Sequence, residues 1–340
     1  MGATDVRIGL VGLGWGKAHV ETIAHMDGVR VAAVADNAPV RGTTMSVAEY
    51  AASIGAAGYE DGVAMIRKAE IDAVDLVVAP KWREPLLRAA AARALPVLME
   101  KPMANHLAQG ELFARIVADA GIPFMMEYPL RFHPAMQRAR ELLDGPLGGP
   151  LSVTAELQTM WNPPPHHWAW DEGVEGGWFT ECGCHILDTV CFLAGSPTRV
   201  FALGRNFKGH GQTVDSAAFA IEFEGGAHAV VNGGGIATHA FNVPMYVKVY
   251  AENGEMLVSG GNWVYDKVAW ATHGPGEEVR IEDLPGPPRM ELLRQNMMQF
   301  ARLARGEIES PCSAEDGLVV QRIIAAMVRS IGTGKAESVA

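Results

Sequence analysis

A chain of 340 residues exceeds the usual size of one hydrophobic core, which favours two domains. Half of it is apolar, and 38 Gly and 20 Pro are spread along it, so it reads as many elements joined by turns rather than as disorder. A net charge of -11 argues against nucleic acid or an anionic membrane as partner. There is no export signal at the start and no run near the roughly 20 apolar residues of a bilayer span, and the four cysteines make no disulfide framework, so a reduced cytoplasm is expected.

From residue 5 to about 127, short β-branched runs alternate with longer alanine-rich segments, the rhythm of parallel strands joined by helical crossovers. Strands are predicted at Val6–Val11, Val29–Ala35, Ala73–Ala79, Pro96–Glu100 and Pro123–Glu127, with helices near Ala18–Met26, Val40–Ile54, Glu84–Ala94 and Ala108–Ala120. After a helix near Pro134–Leu143, the breaker cluster at 144–150 ends this pattern. Residues 151 to about 282 then read mostly as strands, with turns at Glu224-Gly225-Gly226 and Glu252-Asn253-Gly254, so a largely antiparallel sheet is expected. Two helices close the chain near Glu291–Leu303 and Ala314–Ser330. The expected division is 1–127 and 128–340, the closing helices being free to pack back on the first domain.

Strand Val6–Val11, the turn Gly12-Leu13-Gly14-Trp15-Gly16, a helix through His19, a second strand and Asp36 together form the pattern of a dinucleotide-binding Rossmann unit. Gly12 permits the tight turn, Gly14 lets backbone approach a pyrophosphate, and the helix N-terminus offers N–H groups to the anion. Asp36 can accept hydrogen bonds from a ribose diol and would repel a 2′-phosphate, which favours NAD, while Arg41 leaves NADP open. Gly16 falls one position earlier than the usual spacing, so the glycines alone are a weak signal and a ligand-free turn is the bland alternative. The strand before, the helix after and the acid at the right distance favour the dinucleotide.

At Glu100-Lys101-Pro102 the chain resembles the family of glucose-fructose oxidoreductase and inositol dehydrogenase, often called Gfo/Idh/MocA. Supporting this are Gly12-Leu13-Gly14 with His19, Asp36, Ala79-Pro80, Arg131-Phe132-His133-Pro134, and Gly176-Gly177 followed by Glu181-x-Gly183-x-His185-x-x-Asp188. Asp215, the Tyr250–Gly254 turn and Ser313-Ala314-Glu315-Asp316-Gly317 add to it. The resemblance implies an α/β protein: an N-terminal Rossmann domain, then an α/β domain with a large open, mainly antiparallel sheet. One face of that sheet would line the substrate cleft and the other would make a homodimer or homotetramer. It also implies hydride transfer between nicotinamide and a secondary alcohol or ketone of a sugar, sugar derivative or cyclitol.

Lys101 follows a strand at the carboxyl edge of a parallel sheet, where ligands bind, and a partly desolvated lysine can exchange a proton near neutral pH. Taken alone, a lysine at a strand end is better read as a surface lysine paired with Glu100; the resemblance reverses that, because Lys101 matches the family's catalytic lysine. His185 stands four residues after Glu181, so on one helical turn the carboxylate can orient the imidazole. His185 matches the family's catalytic histidine, and Glu181 stands where the family usually has Asp. A core histidine satisfied by Asp188 is the competing reading. Candidate nucleotide contacts are completed by Asn37, Ala79, Pro80, Trp82, Glu100 and Lys101; at Glu84 the family often has His. Candidate substrate contacts are Lys101, Glu127, Tyr128, Arg131, Trp161, His166, His167, Trp168, Glu181 and His185, the aromatic loop 161–170 being suited to the apolar face of a sugar ring. Cys182, Cys184 and His185 are too tightly spaced for a common zinc site, so no metal is expected. Two other functions remain open: a relative that retains NAD and cleaves glycosides, and a non-catalytic dinucleotide-binding regulator.

Overall fold

The computed structural model describes residues 5–339 except 165, 166, 172, 210, 212 and 239–243. The first elements are β1 (Val6–Val11), α1 (Gly16–Ile23), β2 (Val29–Ala35), α2 (Val47–Ser53), β3 (Ala57–Tyr59), α3 (Gly62–Lys68), β4 (Ala73–Leu76), α4 (Arg83–Ala92), β5 (Val97–Glu100), α5 (Leu107–Ala120) and β6 (Phe124–Glu127). There follow α6 (Pro134–Asp144), β7 (Pro150–Gln158), α7 (Cys184–Ala194), β8 (Pro197–Arg205), β9 (Ser216–Phe223), β10 (His228–Gly234), β11 (Pro244–Ala251) and β12 (Gly254–Gly261). Last come β13 (Val264–Thr272), β14 (Arg280–Asp283), α8 (Arg289–Ala304), α9 (Ala314–Thr333) and β15 (Glu337–Ser338). Two compact units result: Met1–Ala104, Ala108–Glu127 and Pro288–Gly317 in one, and Asn105–Leu107, Tyr128–Pro287 and Leu318–Ala340 in the other.

In the first unit six parallel strands lie in the order β3-β2-β1-β4-β5-β6. Strands covered on both faces need no polar alternation, and β4, β5 and β6 are buried at every position. The order reverses between β1 and β4, and at such a reversal the carboxyl ends of the strands open a crevice for ligands. Helix α8 packs on α1, and beyond it the Arg305 guanidinium donates to Gly28 O at 2.6 Å.

Three local expectations differ. The helix expected from Val40 begins only at Val47, because the Ser46 hydroxyl accepts from Glu49 N–H while the Glu49 carboxylate accepts from Ser46 N–H, a reciprocal cap that fixes the start. The strand expected to reach Ala79 stops at Leu76, and the chain enters a 3-10 turn at Pro80–Trp82. Strand β3 and helix α3 were not anticipated: three residues cannot display alternation, and α3 is a seven-residue helix begun by the Asp61 carboxylate on Ala64 N–H.

The second unit is built on a nine-stranded sheet, β14-β13-β12-β11-β7-β10-β9-β8-β15. Every pair is antiparallel except β7 with β10, which run parallel because α7, β8 and β9 intervene in the chain and supply the crossover. Burial alternates: Phe219, Ile221 and Phe223 of β9 face the core while Ala218, Ala220 and Glu222 are exposed. Helices α7 and α6 cover the inner side, against β7 and β13 respectively.

Candidate active site

The glycine turn of the first unit is shaped by backbone geometry. Gly12 has φ +101°, and a Cβ there would stand 2.6 Å from Val77 O, so only glycine fits without a backbone shift. At Gly14 a Cβ would meet nothing within 4 Å, which leaves the backbone approachable. No side chain caps α1, whose first N–H groups are therefore free of side-chain acceptors. Leu13 N–H donates to Asp36 Oδ2 at 2.6 Å, and Ala38 N–H donates to Oδ1 at 3.2 Å. Asp36 is thus fixed beside the turn, and a carboxylate with four lone-pair sites keeps acceptor capacity for ribose hydroxyls. Approachable backbone, helix N-terminus and fixed acid fit a dinucleotide.

Around the turn, Trp15 is partly exposed and carries the Arg289 guanidinium 4.2 Å from its ring centre. Asn37 and Arg41 are exposed, and the Arg41 carbonyl accepts from the Lys17 ammonium. Pro80 is buried, Ala79 half-buried and Trp82 exposed. Glu84 pairs with Arg88 on the surface of α4. Buried Arg83 donates to Val78 O at 2.8 Å and to the carbonyls of Pro102 and Met103, tying the chain after β4 to the segment that carries half-buried Lys101.

Glu100 and Glu127, the last residues of β5 and β6, turn inward. They lie 3.5 and 4.0 Å from His19 Nε2, and His19 Nδ1 is 2.8 Å from Asp75 Oδ2. Burial alone would push the His19 imidazolium down, but the Asp75 and Glu127 carboxylates hold it well above the usual histidine range. Burial pushes the Glu127 carboxyl well up. Sequence reasoning missed this grouping, although Asp75 inside the apolar run Ala73-Val74-Asp75-Leu76 was a readable signal.

In the second unit His185 lies in the first turn of α7, after a π-helical turn at Phe179–Gly183. Gly177, with φ +48°, leads into that turn; a Cβ there would stand 2.9 Å from Val214 O. The His185 ring meets the edges or faces of two aromatics, Tyr128 at 6.2 Å and Trp263 at 5.4 Å between centres, both near perpendicular. Trp263, also missed in the sequence, sits with Asn262 in the two-residue turn between β12 and β13, both at positive φ (68° and 52°). Such a turn accepts Asn readily, whereas a tryptophan in it is strained and is held by its surroundings.

Arg131, a candidate substrate contact in the sequence, is buried. Its guanidinium donates to both oxygens of Asp188 at 2.9 Å, a buried pair that ties the Pro129–Phe132 turn to α7. The Glu181 carboxylate accepts from the Trp161 indole and lies 3.6 Å from His167 Nε2. The Trp161 and Trp170 rings lie 4.2 Å apart between centres, tilted by 51°, and His167 caps the 3-10 turn Trp168–Trp170 through Ala169 N–H. The aromatic loop and the segment preceding His185 are therefore joined through Glu181; His166 lies outside the described residues. Among the described residues, Cys182, Cys184 and His185 form no group of converging metal-ligand atoms.

Two family models match the chain: one described as an oxidoreductase family with an NAD-binding Rossmann fold over residues 6–128, the other as the GFO/IDH/MocA C-terminal domain over 136–257. A D-xylose 1-dehydrogenase (NADP(+)) of Haloferax volcanii is 27% identical over 80% of this chain and 82% of its own. An inositol 2-dehydrogenase of Mycolicibacterium gilvum is 35% identical over 44% of this chain and 43% of its own. A solved levoglucosan dehydrogenase, in complex with NADH and levoglucosan, superposes with a TM-score of 0.86 at 22% identity, over 99% of this chain and 100% of that one. With the glycine turn, Asp36 and the two sheets already placing it there, the chain belongs to the Gfo/Idh/MocA family of NAD-binding oxidoreductases.

Proposed function

We propose that this enzyme interconverts a secondary alcohol and a ketone on a sugar, sugar derivative or cyclitol, using NAD in preference to NADP. The observation that carries the cofactor reading is the Leu13–Asp36 hydrogen bond, which fixes an acid where a ribose diol needs an acceptor and a 2′-phosphate would be repelled. The substrate class rests on the xylose, inositol and levoglucosan dehydrogenases that the chain resembles. We assign nucleotide binding to the first unit and substrate binding to the second.

When bound, NAD supplies a two-electron hydride acceptor. With that acceptor bound, His185, held beside Tyr128 and Trp263, would be the base that takes the proton of the substrate hydroxyl. Lys101, at the carboxyl edge of the parallel sheet, would supply an ammonium able to donate a hydrogen bond to a substrate oxygen. The Glu181 carboxylate accepts from the Trp161 indole and lies beside half-buried His167, whose polar edge is suited to a polyol hydroxyl. In the reverse direction His185 returns the proton.

A net charge of -11 supports small-molecule rather than nucleic-acid recognition, and no helix among the described residues is long and apolar enough to cross a membrane. Four cysteines in 340 residues are too few for a disulfide framework, which supports the reducing cytoplasm as location. We further assign a second copy of this chain to the exposed face of the large sheet, giving a homodimer or homotetramer.

Lys101→Ala and His185→Ala are each expected to lower kcat by roughly a hundredfold to ten-thousandfold in a polyol screen read by nicotinamide absorbance, while calorimetry shows NAD binding retained. Near-normal turnover in both variants would defeat the assignment.

A further inference from the structure

His19, Asp75, Glu100 and Glu127 bring one imidazole and three carboxyl groups together inside the first unit, from α1, β4, β5 and β6. The bond from His19 Nδ1 to Asp75 Oδ2, 2.8 Å long, fixes the ring and turns Nε2 the other way, where a bound metal ion would take the place of the Nε2 proton. On that side lie Glu100 Oε1 at 3.5 Å and Glu127 Oε2 at 4.0 Å. His19 Nε2 and Glu127 Oε2 are fully buried and neither makes a hydrogen bond. One atom from each of the three residues lies within 4.8 Å of the others. A single point can therefore stand about 2.1 to 2.4 Å from all three, the length of a metal–nitrogen or metal–oxygen bond.

We propose that His19, Glu100 and Glu127 bind one divalent transition-metal ion, Zn2+ or Mn2+, with Asp75 as the carboxylate that orients the histidine ligand. A carboxylate hydrogen-bonded to the far nitrogen of a ligating imidazole is the usual outer support of a histidine metal site. An imidazole beside two carboxylates suits these ions better than Ca2+ or Mg2+, which take all-oxygen sets, and better than ions that need thiolate. The proposal does not depend on the roles given to Lys101 and His185, which lie outside the ligand set.

The full-length protein, stripped with a chelator and dialysed against ZnCl2 or MnCl2, is assayed for metal by elemental mass spectrometry and for thermal unfolding, beside Glu127→Gln and Asp75→Asn. Expected are about one ion per chain and a rise in Tm of several degrees. Glu127→Gln removes a charged ligand at constant volume and should weaken binding at least roughly tenfold, with circular dichroism reporting its fold. Asp75→Asn keeps all three ligand atoms and should weaken binding roughly tenfold to a hundredfold, so the test stands if the first variant does not fold. Uptake of neither ion with no change in Tm overturns the proposal, as does unchanged affinity in the folded variants, which would put the ion elsewhere.

Discussion

At His133 a single buried imidazole sets an acid limit on stability. Its Nδ1 accepts Tyr265 N–H at 2.8 Å, so the ring is needed neutral. Burial pushes its pKa down to about 4, against a smaller upward pull from the Tyr265 backbone and Asp266. With the folded value below the unfolded one near 6.5, the unfolded chain binds the proton more readily between them. The stabilisation is therefore whole above pH 6.5 and is lost as pH falls through about 4, amounting to about 3 kcal/mol. His133→Asn keeps an acceptor near Nδ1 and removes the proton site; urea denaturation between pH 7 and pH 4 should show it losing about 3 kcal/mol less than the parent chain. A stability difference independent of pH would refute this. Asp36 and His185 stand out in the sequence as candidates by motif and spacing, but no sequence neighbour of Trp263 marks it as the partner of His185, because that contact is made from a turn 78 residues away.

For the element β1–turn–α1, two glycines separate folding from binding. Gly12 combines a left-handed φ with a backbone oxygen 2.6 Å from any added Cβ, whereas Gly14 has open space in that direction. Gly12→Ala should therefore cost about 2 to 4 kcal/mol of stability by urea denaturation. Gly14→Ala should cost under about 1 kcal/mol yet weaken NAD at least roughly tenfold by calorimetry, since its methyl would occupy the approach to the pyrophosphate. A Gly14→Ala protein that binds NAD normally would remove the turn from the site. The same element was the most legible part of the chain, because a strand, a tight turn and a helix each leave a local pattern. The start of α2 was misjudged where apolar content extended past the Ser46 cap, and β3 was too short to leave a pattern at all.

Over the molecule as a whole, the exposed side of the nine-stranded sheet is the feature that calls for a partner. Register aligns Phe201, Ala220, Val230, Thr154, Lys248 and Leu257 in one row across six strands, with exposed Leu203 one step along from Phe201. Beside them a groove of about 560 Å³ is lined by Leu203, Phe207 and Ile331. Exposed Phe201, Leu203 and Val230 close together on one face are better explained by a second copy than by solvent. Leu203→Lys with Val230→Lys should leave the circular dichroism spectrum intact and shift the sedimenting species to a smaller size at micromolar concentration. An unchanged sedimentation coefficient, or a parent chain that is already monomeric, would sink this assignment.

The sequence by itself determined the parallel first unit, its glycine turn and acid, the antiparallel texture of the second unit and the family. Each of these is written in periodicity, turn chemistry or ordered motifs that act over a few residues. Only the tertiary structure decided the strand order with its parallel β7–β10 pair, the closure of Arg131 on Asp188, and the meeting of His19, Asp75, Glu100 and Glu127. Those arrangements join side chains from separate elements, and long-range packing, which leaves no local period to read, is what brings them together.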